Sequence, residues 1–269
     1  MSLTIDEDLS NRLADLRVLE KSRQLDLDEA RRIQQVMLPE GPLHAGPVRV
    51  LHEFQPLVEV GGDFLDYYVL PDGNIGLYIG DVCGKGLPAA LYAALTVGIL
   101  RGVHKTGQAP GSVLSMLNRR MALRGISRRY SAMQYADFDP LTGTMRVTSA
   151  GMYGPFHLSR DGCREMELAG FPPGLFPAAT YDTHTLELAP GDSVLFCTDG
   201  VIEAVNGEDE EFGSERLAEL CCALAPEVPG PELPEQVLAA VRAFSEGRTQ
   251  HDDMAVAVLH YAGPGEPLP

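Results

Sequence analysis

Residues 75–90 constrain the fold most, because they join a short apolar run, a glycine-dense turn with one carboxylate, and a helix-forming run. The run from Ile75 to Ile79 is too apolar for a strand that is exposed on both faces. Pro88 suits the first turn of a helix, and the alanine-rich run after it predicts a buried helix. Asp81 therefore lies where a strand ends and a helix begins. Ordinary turn chemistry and a metal or phosphate site explain an aspartate there equally well.

The charge balance limits the classes of partner. The chain has 269 residues with 38 acidic and 21 basic side chains, a formal net charge of −17. Because phosphate contacts need a basic surface, this balance argues against nucleic acid and against an anionic membrane. It is compatible with divalent cations bound through carboxylates, although most of these acids serve solubility alone. The length allows one large domain or two small ones, and the hydrophobic content of 45% is typical of a globular chain that buries a sizeable core.

The ends and the cysteines of the sequence predict a compartment. The N-terminus has neither the basic start nor the apolar core of a signal peptide, and no apolar run reaches transmembrane length. Five cysteines without a Cys-x-x-Cys pair resemble neither a disulfide framework nor a structural zinc site. We therefore expect a cytoplasmic protein with reduced thiols.

Residues 4–38 read as one long helix that ends at Pro39, followed by a proline- and glycine-rich linker over residues 39–47. Its apolar stripe, with spacings of three and four, consists of Leu9, Leu13, Leu16 and Leu19. At ~1.5 Å per residue such a helix is roughly 50 Å long. We expect residues 1–38 to be a linker, dimerisation or regulatory element. The alternative is that the stripe packs on the helix's own domain.

Strands joined by tight turns dominate the rest of the chain. Residues 64–70 and 75–82 should form a hairpin, and so should residues 183–188 and 193–197. The other predicted strands lie at residues 48–54, 130–137, 144–149, 156–158, 165–168 and 255–260. Further helices are predicted at residues 89–100, from 110, at 212–224 and at 231–245. This order predicts the α+β class, with antiparallel sheets covered by helices, and residues 263–269 read as a disordered tail.

Aspartates recur at the edges of apolar strands, and most of them have glycine beside them. They are Asp63, Asp81, Asp199 and the pair Asp252 and Asp253. Clustered carboxylates raise one another's pKa unless a cation neutralises them, and oxygen ligands suit Mg²⁺ or Mn²⁺ rather than zinc. Two such ions can hold a phosphate and lower the pKa of a water molecule between them. The pattern therefore predicts a metal-assisted phosphoester hydrolase.

Seven segments also occur together in one order, over about residues 30–260. They are residues 30–39, 60–66, 79–90, 149–151, 190–192, 197–204 and 252–254. In this order they resemble the motifs of the metal-dependent (type 2C-like, PPM) protein serine/threonine phosphatases, in the SpoIIE/RsbU branch. The resemblance implies a four-layer α-β-β-α sandwich of two antiparallel sheets flanked by helices. This domain would span residues 39–262.

The resemblance also implies a site for two divalent ions, Mn²⁺ or Mg²⁺, at one end of the sandwich. Asp81 would bridge both ions, and the backbone carbonyl of Val82 would bind one of them. Asp199 and Asp252 would hold the other ion, and Asp63 would lie beside the pair as a direct or water-mediated ligand. Asp81 and Asp199 would be the catalytic residues. If the match to the last motif is off by one residue, Asp253 takes the place of Asp252.

The function implied by the resemblance is hydrolysis of phosphoserine or phosphothreonine by a metal-bound water, without a covalent phosphoenzyme. The substrate would be a partner-switching regulatory protein of the anti-sigma-factor-antagonist type. An upstream sensor or activator protein, or a second copy of the chain, would bind the N-terminal helix.

Three places depart from the family pattern, and one of them is residues 131–133, where the family often has Thr-rich sequence. Met152 stands where the family usually has His, and Ala255 stands where it usually has Thr. None of these is an expected metal ligand, so they bear on the surroundings of the site. They leave open an alternative, in which the chain is a weak or inactive pseudo-phosphatase that acts as a signalling module.

Overall fold

The structure is a computed structural model that describes residues 2–103, 107–123, 125–126, 129–224 and 232–264, with side chains from residue 11 onward. The helices are α1 (Ser2–Gln35), α2 (Leu87–Arg101), α3 (Pro110–Ala122), α4 (Asp199–Ile202), α5 (Gly213–Leu224) and α6 (Leu233–Phe244). The strands are β1 (Leu43–Ala45), β2 (Val48–Gln55), β3 (Phe64–Val69), β4 (Ile75–Val82), β5 (Ser131–Asp139), β6 (Thr144–Ala150), β7 (Phe156–Ser159), β8 (Gly162–Glu165), β9 (His184–Glu187), β10 (Ser193–Cys197) and β11 (Met254–Tyr261).

The strands form two antiparallel sheets that pack face to face. The first sheet has the order β1-β2-β11-β10-β7-β8, and the second has the order β3-β4-β5-β6-β9. The layer between the sheets is apolar, with Val50 and Phe196 from the first sheet and Leu77 and Phe138 from the second. Burial of this layer stabilises the sandwich by roughly 25 cal/mol per Å² of apolar surface.

Helices cover the outer face of each sheet. On the second sheet, Ala93 of α2 and Leu114 of α3 share an apolar cluster with Tyr78. On the first sheet, α5 and α6 contribute Leu217 and Val237 to a corresponding cluster. The molecule is therefore a four-layer α-β-β-α sandwich, which confirms the predicted fold class.

Strand β4 has apolar side chains on both faces because both faces are covered. Leu77 and Ile79 lie between the sheets, whereas Tyr78 and Val82 lie beneath the helices. Successive side chains of a strand point to opposite faces, so a strand covered on both sides shows no polar alternation. The predicted hairpin of β3 and β4 is also confirmed, since the two strands are antiparallel neighbours.

Helix α2 is buried on one face only, so the prediction of a buried helix is wrong for its outer face. Ala89 and Ala93 are fully buried, whereas Leu91 is 65% exposed and Leu95 is 47% exposed. An outer layer of the sandwich has the sheet on one side and solvent on the other. The run after Pro88 carries no charged side chain before Arg101 that would mark the solvent face.

The predicted hairpin of residues 183–188 with residues 193–197 is wrong. Strand β9 pairs with β6 in the second sheet, whereas β10 pairs with β7 and β11 in the first. The turn between them is present, but it carries the chain from one sheet to the other. The Asp192 carboxylate holds this crossing, since it lies 2.8 Å from His157 Nε2 and accepts the Ala189 N–H at 3.0 Å.

The predicted strand at residues 165–168 is also wrong, because β8 already ends at Glu165. The turn before it is tighter than expected, with Ser159 paired directly to Gly162. Gly162 has a φ of 127°, a backbone conformation that other residues rarely adopt. The short turn starts β8 three residues earlier than the sequence predicts.

Helix α1 ends at Gln35, three residues before the predicted end, and the expected linker over residues 39–47 contains β1, which pairs with β2. Met37 and Leu38 pack against the apolar clusters of the sandwich. The exposed fractions of the leucine stripe are 47% for Leu13, 60% for Leu16 and 67% for Leu19. These leucines therefore do not pack on their own domain. The side chain of Leu9 lies outside the described part of the structure.

Some predictions fall on residues that the structure does not describe. Residues 265–269 of the predicted tail and residue 231 of the predicted last helix lie outside the described ranges. Within those ranges, no helix combines the length and the apolar character needed to cross a membrane.

Candidate metal centre

The strand pairing brings the ends of four strands to the candidate site. Strand β3 begins where β4 ends, with Phe64 opposite Gly80. Strand β10 ends where β11 begins, with Cys197 opposite Val256. The aspartates that the sequence predicts lie at these strand ends, and they are Asp63, Asp81, Asp199, Asp252 and Asp253.

Asp63 connects the two sheets at this end. Its side chain is 1% exposed, and its Oδ2 accepts a hydrogen bond of 2.7 Å from the Thr198 hydroxyl. Thr198 Oγ1 in turn accepts the backbone N–H of Ala255 at 2.9 Å. The side chain of Ala255 points into the layer between the sheets, so this departure from the family pattern changes the core rather than the site.

Burial and mutual repulsion raise the pKa of three carboxyl groups. Burial is the largest cause for Asp63, followed by the charges of Asp81 and Asp253, and it places the pKa well above the ordinary value. Burial and the charge of Asp199 raise the pKa of Asp81 to about 7. Burial, Glu203 and Asp252 raise the pKa of Asp199. A bound cation would reverse this effect, because it favours the ionised form of each group.

The oxygen atoms at this end fit a hard divalent cation. Among the described residues, Asp199 Oδ1 is buried and has no hydrogen-bond partner. At the end of β4, the missing side chain of Gly62 leaves space beside two further oxygens. A Cβ there would lie 2.7 Å from Asp81 Oδ1 and 2.8 Å from the Val82 carbonyl oxygen. Carboxylate and carbonyl oxygens are ligands that Mg²⁺ and Mn²⁺ prefer. In the part of the chain described, side chains of Asp, Glu, His and Cys do not by themselves form an ion-binding group of three.

Lys85 lies at the edge of this site. Its Nζ is 3.0 Å from Asp252 Oδ2, and it also donates a hydrogen bond to the His251 carbonyl. Asp252 is thus the expected ligand with a positive charge already beside it. The partner lies far along the chain, so no local pattern could predict this contact.

Asp253 has a different environment from its neighbour. It is 4% exposed, its Oδ1 accepts the Leu57 N–H at 2.7 Å, and its Oδ2 accepts the Gly62 N–H at 2.7 Å. A Cβ on Gly61 would lie only 1.8 Å from Asp253 Oδ2, so glycine is required for this approach. Asp253 therefore fixes the loop of residues 57–62, and Asp252 is left as the more open carboxylate.

Sequence reasoning did not assign two residues that shape the site. Thr198, described above, lies within one of the matching motifs, and a hydroxyl next to an expected ligand is the signal that could have identified it. Arg129 donates a hydrogen bond to the Cys83 carbonyl and so holds the turn that follows β4. No motif surrounds Arg129, so the sequence alone contains no comparable signal for it.

A cleft of about 760 Å³ opens beside Asp199. Its lining includes Met152, Tyr153, Glu165 and Glu203. The Tyr153 hydroxyl donates to Glu203 at 3.4 Å, and Met152 occupies the position where the resemblance leads one to expect His. Met152 therefore lines the cleft next to the candidate site, whereas Ala255, another departure from the family pattern, lies in the core between the sheets.

Comparison with known proteins identifies the family. The family model for stage II sporulation protein E (SpoIIE) matches residues 71–262, which is more than half of the chain. The chain belongs to the SpoIIE family. This confirms the resemblance to the SpoIIE/RsbU branch that the motifs indicate.

Individual relatives agree with this assignment. Protein IcfG from Synechocystis sp. is 28% identical in an alignment of 232 residues that covers 74% of this chain and 36% of IcfG. Phosphoserine phosphatase RsbU from Bacillus subtilis is 27% identical in an alignment of 213 residues that covers 76% of this chain and 62% of RsbU. The chain thus spans less than two thirds of either relative.

A solved structure supports the fold. The SiaA-PP2C domain of Pseudomonas aeruginosa has a TM-score of 0.80 to this chain at 21% sequence identity, over 91% of this chain and 98% of that domain. At this level of identity the likeness shows the fold alone. It agrees with the sandwich described above.

The raised pKa values predict that the metal-free protein loses stability as pH increases. A carboxyl whose folded-state pKa is raised from 3.8 to about 7, as for Asp81, stabilises the folded state below about pH 4 and loses this contribution as pH rises through 7. We expect thermal unfolding of the metal-free protein at lower temperature at about pH 8 than at about pH 5.5. The stabilisation by Mn²⁺ should be larger at the higher pH. The variant Asp81→Asn should reduce the pH dependence, and an unchanged dependence would contradict this account.

Because the two adjacent aspartates make different contacts, we expect substitution of Asp253 to affect mainly stability and substitution of Asp252 to affect mainly Mn²⁺ affinity. Asp253→Ala leaves the N–H groups of Leu57 and Gly62 without their acceptor, so the free energy of unfolding should fall by about 2–4 kcal/mol. Asp252→Ala removes a partly exposed ion pair and one hydrogen bond, from the Asp253 N–H at 3.0 Å, so the free energy of unfolding should fall less, by about 1 kcal/mol, while Mn²⁺ affinity falls. Chemical denaturation and calorimetric titration measure the two effects. Equal stability of the two variants would argue against the assigned roles.

Proposed function

We propose that this chain is a metal-dependent protein serine/threonine phosphatase. The observation that carries the proposal is the convergence of Asp63, Asp81 and Asp199 at one end of the sandwich, with raised pKa values and an unpartnered carboxylate oxygen. Such an arrangement is costly for the folded state unless cations bind there. Membership of the SpoIIE family supports the same activity.

The proposed ligands are those that the family motifs suggest. Asp81 would bridge two ions, Mn²⁺ or Mg²⁺, and the Val82 carbonyl would bind one of them. Asp199 and Asp252 would hold the other, with Asp63 as a direct or water-mediated ligand. The open space in front of Asp81 Oδ1 and the Val82 carbonyl supports this assignment.

The ions, when bound, would neutralise the phosphoryl oxygens and lower the pKa of a water molecule that attacks phosphorus. The protein's own groups would hold the reactants. Asp81 and Asp199 would keep their carboxylates in place at two strand ends, and Thr198 would orient Asp63 through its hydroxyl. Cys197, two residues before Asp199, is a poor nucleophile, because burial raises the pKa of its thiol. We propose direct hydrolysis by a metal-bound water, without a phosphoenzyme.

The proposed substrate is a phosphorylated regulatory protein of the partner-switching type, such as an anti-sigma-factor antagonist. RsbU, one of the relatives, is named a phosphoserine phosphatase, which supports phosphoserine or phosphothreonine as the group removed. The cleft beside Asp199 gives a protein segment access to this end of the sandwich. We place this reaction in the cytoplasm.

A second candidate function is a pseudo-phosphatase that binds partners without turnover. Met152, which lines the cleft in place of the usual His, favours it. All five expected acidic positions, including Asp253, retain their aspartates, which favours the enzyme.

Residues 1–38 form the proposed regulatory or dimerisation element, and residues 39–262 the proposed phosphatase domain. Helix α1 exposes leucines on its described stripe, and apolar side chains on a long projecting helix are typical of a surface that another helix covers. We propose that α1 pairs with a second copy or with a separate input protein.

Hydrolysis of p-nitrophenyl phosphate and of a phosphoserine peptide tests the activity. Wild type should turn over with Mn²⁺ or Mg²⁺, and Asp81→Asn or Asp199→Asn should lose at least about 100-fold, since even groups around a metal site contribute 10–100-fold. Asp161→Asn is the matched control, because this side chain is 88% exposed in a surface turn. A wild type that is inert with both ions would favour the pseudo-phosphatase.

Light scattering tests the role of α1. If the exposed leucines pair two copies, the full chain should be a dimer, and Leu16→Glu combined with Leu19→Glu should make it a monomer. Leu141→Glu is the control, since Leu141 is 85% exposed and belongs to the turn between β5 and β6 rather than to α1. A monomeric wild type whose activity survives deletion of residues 1–28 unchanged would refute the proposal for both kinds of partner.

A further inference from the structure

Gln34 is buried at the end of a helix that is otherwise largely exposed. Its exposed fraction is 8%, whereas Ile33 is 64% exposed and Val36 is 78% exposed. An apolar side chain would gain more from such burial than an amide does, because a buried amide must keep its hydrogen bonds. A polar side chain that is buried while its apolar neighbours are exposed indicates a specific role for Gln34.

The Gln34 amide binds both backbone groups of one residue in the loop before β3. Its Nε2 donates to the Gly61 carbonyl at 2.8 Å, and its Oε1 accepts the Gly61 N–H at 3.1 Å. The next N–H, that of Gly62, donates to Asp253 Oδ2 at 2.7 Å. The loop is thus held from one side by α1 and from the other by the residues before β11.

The same helix contacts this loop at a second point. Gln24 Nε2 lies 3.1 Å from Glu59 Oε1, about three helical turns before Gln34. The chain just after α1 is itself fixed, because Arg101 Nη2 donates to the Met37 carbonyl at 2.8 Å. The C-terminal half of α1 therefore lies along the loop and has a defined position on the domain.

Movement of this loop would reach the candidate metal ligands directly. Gly62 lies directly beside two of the candidate ligand oxygens, since a Cβ there would lie 2.7 Å from Asp81 Oδ1 and 2.8 Å from the Val82 carbonyl oxygen. Asp63 follows immediately in the chain. A shift of the loop by about one bond length would change the space between these oxygens.

We propose that Gln34 is a positioning residue that couples the position of α1 to divalent-ion affinity, by holding Gly61 and thereby the adjacent metal-site residues. The inference rests on the proposed function only in taking this end of the sandwich as the ion site. It explains why a polar side chain is buried on α1, and it gives the projecting helix a physical connection to the site.

Calorimetric titration of the full chain with Mn²⁺ tests the coupling. Gln34→Met keeps the length of the side chain but removes both hydrogen bonds, so Mn²⁺ affinity should fall by about 10-fold or more, as for other residues that support metal ligands. Hydrogen exchange in residues 57–64 should become faster. Gln35→Met is the matched control, because Gln35 is the neighbouring exposed glutamine of the same helix. Wild-type affinity in a folded Gln34→Met variant would overturn the inference.

A double-mutant cycle separates coupling from simple loss of stability. Ala30→Pro removes a backbone hydrogen bond of α1 one turn before Gln34, without touching the loop. Alone it should lower Mn²⁺ affinity, and in the Gln34→Met background it should have little further effect. Fully additive effects would show that α1 does not act through Gln34, and would overturn the inference.

Two further outcomes are distinguishable. If Gln34→Met does not fold, Gln34→Asn keeps the amide but shortens its reach by one methylene, and wild-type affinity in that variant would overturn the inference. Because binding is measured without turnover, a wild type that binds Mn²⁺ but hydrolyses nothing would refute the proposed function alone. A wild type that binds no Mn²⁺ would refute both.

Discussion

Negative charge held away from water at one end of two sheets is the constraint on which the rest of the structure depends. Burial and mutual repulsion raise the pKa of the carboxyls of Asp63, Asp81 and Asp199. Buried charges without partners destabilise a folded state strongly. The apolar layer between the sheets helps to offset this cost, and so do the apolar clusters that the helices form on both outer faces.

Hydrogen bonds to the backbone and close approaches of the backbone keep these carboxyl groups in place. Thr198 links the carboxylate of Asp63 to the opposite sheet, and Asp253 holds the loop before β3 by its two N–H contacts. Gly200 permits another close approach, since a Cβ there would lie 1.9 Å from the Asp253 carbonyl oxygen. Gly61, Gly62 and Gly200 therefore allow backbone and carboxylates to lie close together.

The parts of this arrangement that are local could be predicted from the sequence, and the parts that are long-range could not. The position of Asp81 and the β3–β4 hairpin could be predicted, because the apolar run, the turn and the helix that starts at a proline all lie within one short stretch. The crossing at Asp192 was misjudged, because turn residues specify that a chain reverses but not which sheet it joins. The contacts of Lys85 and Gln34 join residues that are distant in sequence. Gln34 also binds backbone groups, which every residue has, so the sequence of the loop does not indicate this contact.

The ion pair of Lys85 with Asp252 makes the two sides of the site unequal. An ammonium group already lies 3.0 Å from Asp252 Oδ2, a carboxylate that we propose to hold one ion together with Asp199, whereas the other ion would lie beside Asp81 and the Val82 carbonyl. A cation arriving at Asp252 must compete with a tethered charge of the same sign, and one arriving near Asp81 meets only carboxylates in need of neutralisation. We therefore expect an ion held by Asp252 to bind more weakly, and to exchange with solvent more readily, than an ion held beside Asp81.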